Sequence, residues 1–299
     1  MSRSSFEIHV TAPFDFQQCL QFLRRSDDEV MHVARETSVS KLFDVDGRLL
    51  LGDITGTPQG LVIAFPEDDI TSAEQEHVER YVRDWFDLDQ DVAAFVRMAE
   101  TDELLRPLVR EYAGLRMIGF PDLFEALTWA VIGQQITLSF AYTLKRRFVE
   151  QYGPSREVDG VTYWAFPNPE TIALLDPSEL RQLQFSTRKA EYIIGIAQEM
   201  TDGRLSKQQL RSEPPDVMHE RLLSLRGVGE WTAAYVRMKC FQDPTAFPVA
   251  DAGLHQALKH HLGRSDKLTA DEVRQYGERF AGWEAYATFY LWRSLYGDV

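Results

Sequence analysis

The run Leu222-Leu223-Ser224-Leu225-Arg226-Gly227-Val228-Gly229-Glu230-Trp231-Thr232-Ala233-Ala234-Tyr235 reads as a helix, a Gly-x-Gly turn and a second helix. Two glycines at this spacing permit left-handed backbone and let a ligand's own backbone come close. They also leave the first amide N–H groups of the second helix pointing outward, where the helix dipole favours an anion. A DNA phosphate is such an anion. Most Gly-x-Gly turns between helices are plain connections, so the motif alone leaves that reading open too. Trp231 and Tyr235 stand four residues apart and share a helix face, broadly with Met238. That face is either core or the wall of a base pocket.

After the second helix comes Ala246-Phe247-Pro248-Val249-Ala250-Asp251-Ala252-Gly253-Leu254. Pro248 stops one element, and Asp251 falls at or near the start of the next. The plain reading of Asp251 is an N-cap worth ~1 kcal/mol. The functional reading uses the same geometry, because the positive helix end and its N–H donors suit a charged carboxylate. Beside a sugar, such a carboxylate stabilises an oxocarbenium-like transition state or activates water.

The chain has 299 residues, enough for two or three domains. Its net charge of −14, from 32 Lys and Arg against 46 Asp and Glu, opposes a protein that coats nucleic acid, since phosphate neutralisation supplies most non-specific affinity. The charge is uneven, however. Residues 64–104 are acidic, whereas Lys145-Arg146-Arg147, Arg188-Lys189 and Arg226, Arg237 and Lys239 form local basic groups, which suits DNA binding confined to one site. Of these, Lys145-Arg146-Arg147 reads as a solvated helix face, and Arg188 and Lys189 as candidate phosphate contacts. Glu67-Asp68-Asp69 reads as solvated surface facing away from DNA. Cys19 and Cys240 have no partners at metal or cluster spacing, which argues against zinc, iron–sulfur and redox chemistry. No apolar run approaches the roughly 20 residues of a membrane span, and Met1-Ser2-Arg3-Ser4-Ser5 leads into an alternating pattern, so a cytoplasmic protein is expected.

Working outward from the hairpin, residues 6–10, 29–35, 41–45, 47–54 and 60–65 read as short strands of an antiparallel sheet. Helices are expected at 16–25 and at 72–86, the latter capped by Thr71 or Ser72 with Glu74 in its first turn. From about residue 89 the period is helical almost to the end, broken by a loop with a small hairpin at 153–168. The expected fold is therefore an α+β N-terminal domain over 1–88, an antiparallel sheet with helices, followed by a mainly α-helical region of two subdomains over 89–299. The helix-hairpin-helix lies at about 216–241, and the cleft is expected between the subdomains. His255, His260 and His261 share one helix but not the i, i+4 spacing that converges on a metal, so no catalytic metal is expected.

Leu225-Arg226-Gly227-Val228-Gly229 followed by Pro248-Val249-Ala250-Asp251 resembles the helix-hairpin-helix and Gly/Pro-Asp signature of a superfamily of DNA glycosylases. Over nearly its whole length the chain is similar to the bacterial 3-methyladenine DNA glycosylase II (AlkA) family. The shared features are Phe14-Asp15 leading to Phe22-Leu23, Val131-Ile132-Gly133-Gln134-Gln135, Arg188-Lys189-Ala190-Glu191, the Trp231-Thr232-Ala233 hairpin exit and the stretch from Trp283 to Trp292. The resemblance implies base excision from damaged double-stranded DNA by a monomer that requires no cofactor. Asp251 would be the catalytic carboxylate, and Trp231, Tyr235 and Trp292 would line the pocket for a flipped base, with core packing as the alternative for the tryptophans. Arg226, Gly227, Val228, Gly229 and Thr232 would meet DNA, and the carbonyls of Leu223, Leu225 and Val228 would hold a Na or K ion bridging to phosphate. Gln135 matches the wedge that fills the hole left by the extruded base, with an internal helix contact as the alternative.

Departures from the family pattern refine this expectation. Bifunctional relatives carry Lys where this chain has Trp231, so lyase chemistry is expected to be absent, and cluster-bearing relatives carry four cysteines that this chain lacks. In the alkylbase relatives the residue after the catalytic Asp is aromatic; here it is Ala252, which implies a wider or less stacked pocket. An alkylated base of the 3-methyladenine or 7-methylguanine type is the expected substrate. The competing readings are a glycosylase for deaminated or oxidised bases, a non-catalytic DNA-structure binder and a helical protein-interaction module.

Overall fold

The computed structural model describes residues 4–296. The N-terminal elements are β1 (Ser4–His9), α1 (Phe16–Leu23), β2 (Val33–Ala34), β3 (Ser38–Val45), β4 (Arg48–Thr57), β5 (Gly60–Phe65) and α2 (Ser72–Trp85), followed by α3 (Val92–Ala99) and α4 (Leu105–Glu111). The central elements are α5 (Leu123–Gly133), α6 (Leu138–Tyr152), the hairpin β6 (Ser155–Val158) and β7 (Val161–Trp164), α7 (Pro169–Ala173), α8 (Pro177–Gln182), α9 (Thr187–Thr201), α10 (Lys207–Arg211), α11 (Pro215–Leu223) and α12 (Glu230–Phe241). Last come α13 (Ala252–His261), α14 (Ala270–Arg279) and α15 (Glu284–Arg293). Among the described residues no helix is long and apolar enough to cross a membrane.

The main sheet runs β1-β5-β4-β3-β2 with every pair antiparallel. Asp46-Gly47 and Asp159-Gly160 close the β3–β4 and β6–β7 hairpins with both residues at positive φ, the two-residue turn whose twist matches that of the strands. Thr71 and Glu74 form a reciprocal capping box on α2. The strand expected over 29–35 shrinks to β2. Glu29 Oε1 accepts the amides of Val30 and Met31 at 2.9 Å each, which turns the chain instead of extending it.

Among the described residues two large hydrophobic cores form, with a small third cluster between sheet and hairpin. The first joins the sheet, α1 to α4 and α13 to α15; the second gathers around α5, α6, α9 and α12. The change from strand to helix near residue 88 therefore does not coincide with a break in the core. Instead the chain leaves the first core near Ile118, builds the second, and returns through α12, whose Met238 belongs to the first core while Val236 and Cys240 belong to the second. A site placed just after α12 lies at the seam. The β6–β7 hairpin reaches back from the second body and packs Tyr163 and Ala165 on Leu42 and Leu51.

The seam is charged, which corrects the reading of several basic and acidic groups. Lys145 is not on a solvated face; it is buried against Glu29 at 3.0 Å and Glu125 at 3.3 Å. Burial pushes the Glu29 carboxyl up, but the Lys145 and His32 charges and the amide of Met31 outweigh it and hold the group at about 2. Lys239 is likewise buried, its amine donating to the Ile118 carbonyl, and burial holds that amine well below the usual lysine range. Asp68, read as solvated, accepts from Arg156 at 2.6 Å.

The last helix is fastened from the first core. Tyr290 donates to the Leu115 carbonyl at 2.8 Å and Tyr286 to Asp87 Oδ2 at 2.7 Å. Burial raises the Asp87 carboxyl to about 7 despite the Tyr286 hydrogen bond and the Arg116 charge. A carboxyl raised on folding contributes stability that is fully present below its unfolded value near 4 and is lost as pH rises through about 7. Asp87→Asn, which stays neutral and tolerates the left-handed backbone there, is accordingly expected to melt higher than wild type at pH 8. At pH 5 the difference should shrink to less than about half, and it should vanish only as pH falls below about 4.

Candidate active site

The hairpin is built by close approach. Gly227 has φ +92, and a Cβ there would lie 2.3 Å from ring carbons of Tyr192. Gly227→Ala is expected to cost about 2 kcal/mol or more in urea unfolding, from overpacking added to left-handed strain. Combining it with Tyr192→Ala should lessen the penalty of the glycine change. Gly229 caps α12 without any side-chain acceptor, so the first amides of the helix face outward from an exposed turn. Arg226 is exposed beside it, paired with Glu191 at 2.7 Å.

Two of the expected DNA contacts differ. Thr232 is buried, and its hydroxyl accepts from Gln134 Nε2 at 3.1 Å. The Val228 side chain is also buried, and its amide donates to the Leu225 carbonyl at 3.0 Å. Both residues hold the turn in shape instead of presenting side chains at its surface. Gln134 was not singled out by the sequence, yet its amide also donates to the Gly227 carbonyl at 2.9 Å and so latches the α5–α6 connection to the hairpin. Gln135 next to it is exposed at φ +56 outside either helix, not an internal helix contact. Lys189 turns inward to the Ile132 carbonyl at 2.6 Å, leaving Arg188 as the exposed member of that pair.

Asp251 fulfils the plain reading and exceeds it. Its Oδ1 accepts the Leu254 amide at 2.7 Å as the N-cap of α13. The same oxygen accepts the Trp292 indole N–H at 2.8 Å, and Oδ2 accepts the Trp231 indole N–H at 2.9 Å. A helix cap alone does not need two indoles. Trp231 and Trp292 come from α12 and α15, so the carboxylate is gripped from both sides of the seam. Gly253 leaves the room this requires: a Cβ there would sit 3.1 Å from both Asp251 Oδ1 and the Trp292 indole nitrogen.

Tyr235 stands between the two indoles, stacked on Trp231 with centroids 5.3 Å apart and tilted against Trp292 at 6.0 Å. Its hydroxyl accepts the Trp129 indole N–H at 3.0 Å, and burial pushes the phenol far above its usual range. The result is an aromatic wall backed by a carboxyl group that three N–H donors hold in place and that is 9% exposed. A cleft of about 600 Å³ opens elsewhere, between α2, β3 and α10, and includes none of these residues in its lining. The helix α13 histidines have separate partners, His255 at the Val249 carbonyl and His261 at Ser294 Oγ.

This geometry coincides with two family matches. Residues 128–281 match the HhH-GPD superfamily of base excision DNA repair proteins, and residues 5–122 match the AlkA N-terminal domain. The chain belongs to the HhH-GPD superfamily. It is 40% identical over 294 residues to a DNA-3-methyladenine glycosylase of Bacillus subtilis, covering 97% of each chain. It is 31% identical over 181 residues to DNA-3-methyladenine glycosylase 2 of Escherichia coli, 60% of each chain. A solved 3-methyladenine DNA glycosylase from Archaeoglobus fulgidus superposes with a TM-score of 0.81 at 25% identity, covering 98% of this chain and 97% of that one.

The first matched segment of this HhH-GPD chain ends at the start of α5, where the second core begins. Behind the aromatic wall the chain carries residues from both sides of that boundary that sequence reasoning passed over. Trp129 orients Tyr235, Tyr142 packs on Trp129 at 4.9 Å, and the Arg25 guanidinium lies 4.1 Å over Phe22 and 5.9 Å from the centre of Tyr142. Ala252, where an aromatic residue was the family expectation, is exposed at the start of α13.

Proposed function

We propose that the protein is a monofunctional DNA glycosylase. It extrudes an alkylated base of the 3-methyladenine or 7-methylguanine type from duplex DNA and hydrolyses the N-glycosidic bond. The observation that carries this reading is the grip on Asp251 by two indoles whose ring neighbours form the aromatic wall. An electron-poor alkylated base carries positive charge and is held by such rings through stacking and cation–π attraction. Its departure needs little protonation, so Asp251 acts chiefly by stabilising the positive sugar and directing water. Trp231, standing where bifunctional relatives have an amine, supports hydrolysis without strand cleavage.

The amides around Gly227 and Gly229 take a backbone phosphate, and Gln135 enters the hole left by the extruded base. The carbonyls of Leu223, Leu225 and Val228 suit a monovalent cation, because three neutral oxygens without a carboxylate match its low charge. Leu223 ends α11, so its carbonyl lies beyond the helix's own ladder. Such an ion would supply positive charge facing a phosphate. The protein acts as a monomer and requires no other cofactor. A set of duplexes, each with one alkylated, deaminated or oxidised base, tests the reading. Release of the alkylated purines in preference to uracil and 8-oxoguanine is expected; preference for either of the latter overturns the substrate class.

A further inference from the structure

Gln134 fixes the α5–α6 connection to the phosphate-binding turn, and what this connection presents is unusual for so acidic a protein. Thr137, Leu138, Ser139 and Phe140 are exposed in succession, like Gln135 before them. Leu138 is 46% and Phe140 37% exposed, two of the few large apolar side chains left open among the described residues. They fall at the first and third positions of α6, with Thr137 Oγ1 capping the Phe140 amide, so both project from a rigid helix start. From Ala126 through Leu144 the sequence contains no charged residue, although the chain as a whole carries −14. An uncharged, apolar tip can approach stacked bases between two rows of phosphate without repulsion, which an acidic surface cannot.

We propose that Leu138 and Phe140 form a second apolar wedge, beside Gln135, that enters the DNA groove and packs on the base step flanking the extruded nucleotide. The occupant is duplex DNA opened at one nucleotide, as the hydrogen-bonded continuity of this tip with the Gly227 turn dictates. Apolar side chains at such positions hold a duplex kinked by covering unstacked bases. Leu138 and Phe140 are positioning residues here: they hold the strand open while other side chains meet the reacting sugar. This inference rests on the proposed function, since it needs an extruded nucleotide.

The test uses the full chain with Leu138→Ser and Phe140→Ser combined, both being exposed positions that leave the Thr137 cap intact. Val161→Ser, which removes a similarly exposed apolar group from the start of β7, serves as control. Single-turnover excision from a methylated duplex and affinity for a duplex containing a stable abasic analogue should each fall about tenfold. Excision from the methylated single strand should change less than twofold, a difference that a general loss of folding would not produce. A 2-aminopurine placed beside the abasic analogue should lose its bound-state fluorescence change in the double variant. Duplex excision, affinity and fluorescence all matching wild type would overturn the wedge while leaving the glycosylase assignment in place; absence of any base release by wild type would instead remove that assignment.

Discussion

Asp251→Asn is expected to lower single-turnover base release by about a thousandfold while affinity for abasic-analogue duplex stays within a few-fold of wild type. The substitution keeps the size and the helix cap, because asparagine serves as an N-cap nearly as well as aspartate. It removes the negative charge that faces the developing sugar cation. It also leaves one indole facing an amide N–H₂ instead of an oxygen, since Trp231 and Trp292 each donate to a different oxygen of Asp251. A buried donor without an acceptor costs stability, so a small drop in melting temperature should accompany the catalytic loss. Rate measurement at saturating enzyme separates the two effects.

Trp292→Phe should slow base release by about thirtyfold through loss of alignment, with abasic-DNA affinity little changed. Phenylalanine retains a ring near Tyr235 but not the N–H that reaches Asp251 Oδ1, leaving that oxygen with the Leu254 amide. The carboxylate, still held by the Leu254 amide and the Trp231 indole, is then less tightly fixed, and the aromatic wall survives. If Trp292 served only as packing, Trp292→Phe and wild type would release base at similar rates. A comparison with Trp231→Phe is informative because that indole holds the other oxygen and stacks on Tyr235 as well.

How far the site was legible from sequence depends on which partner sets each side chain. Although the roles of Asp251, Trp231 and Tyr235 came only from the resemblance, their places on the helices were accessible because spacing along one helix and a Pro–Asp helix start are local signals. The hydrogen bond from Trp292 was not, since it spans 41 residues and exists only because Tyr286 and Tyr290 seat α15 against the first core. Gln134 and Gln135 were quoted together, but nothing local says that one turns in to the hairpin carbonyl and the other out. Lys145, Arg146 and Arg147 look alike in sequence, yet each step along a helix rotates by about 100°, so one enters the Glu29–Glu125 pair while Arg146 reaches the more exposed Asp28. Most strands of the sheet were readable from alternation and from apolar runs bounded by turn residues. The seam was not, because its two cores are assembled from segments on both sides of the central helices.

Methylated duplex DNA is incubated with wild type and with Asp251→Asn, free bases are separated by chromatography, and the strands are sized before and after alkali. Wild type alone should release 3-methyladenine and 7-methylguanine, with strand breaks only after alkali. Equal base release by both proteins, or breaks without alkali, would contradict hydrolysis driven by Asp251.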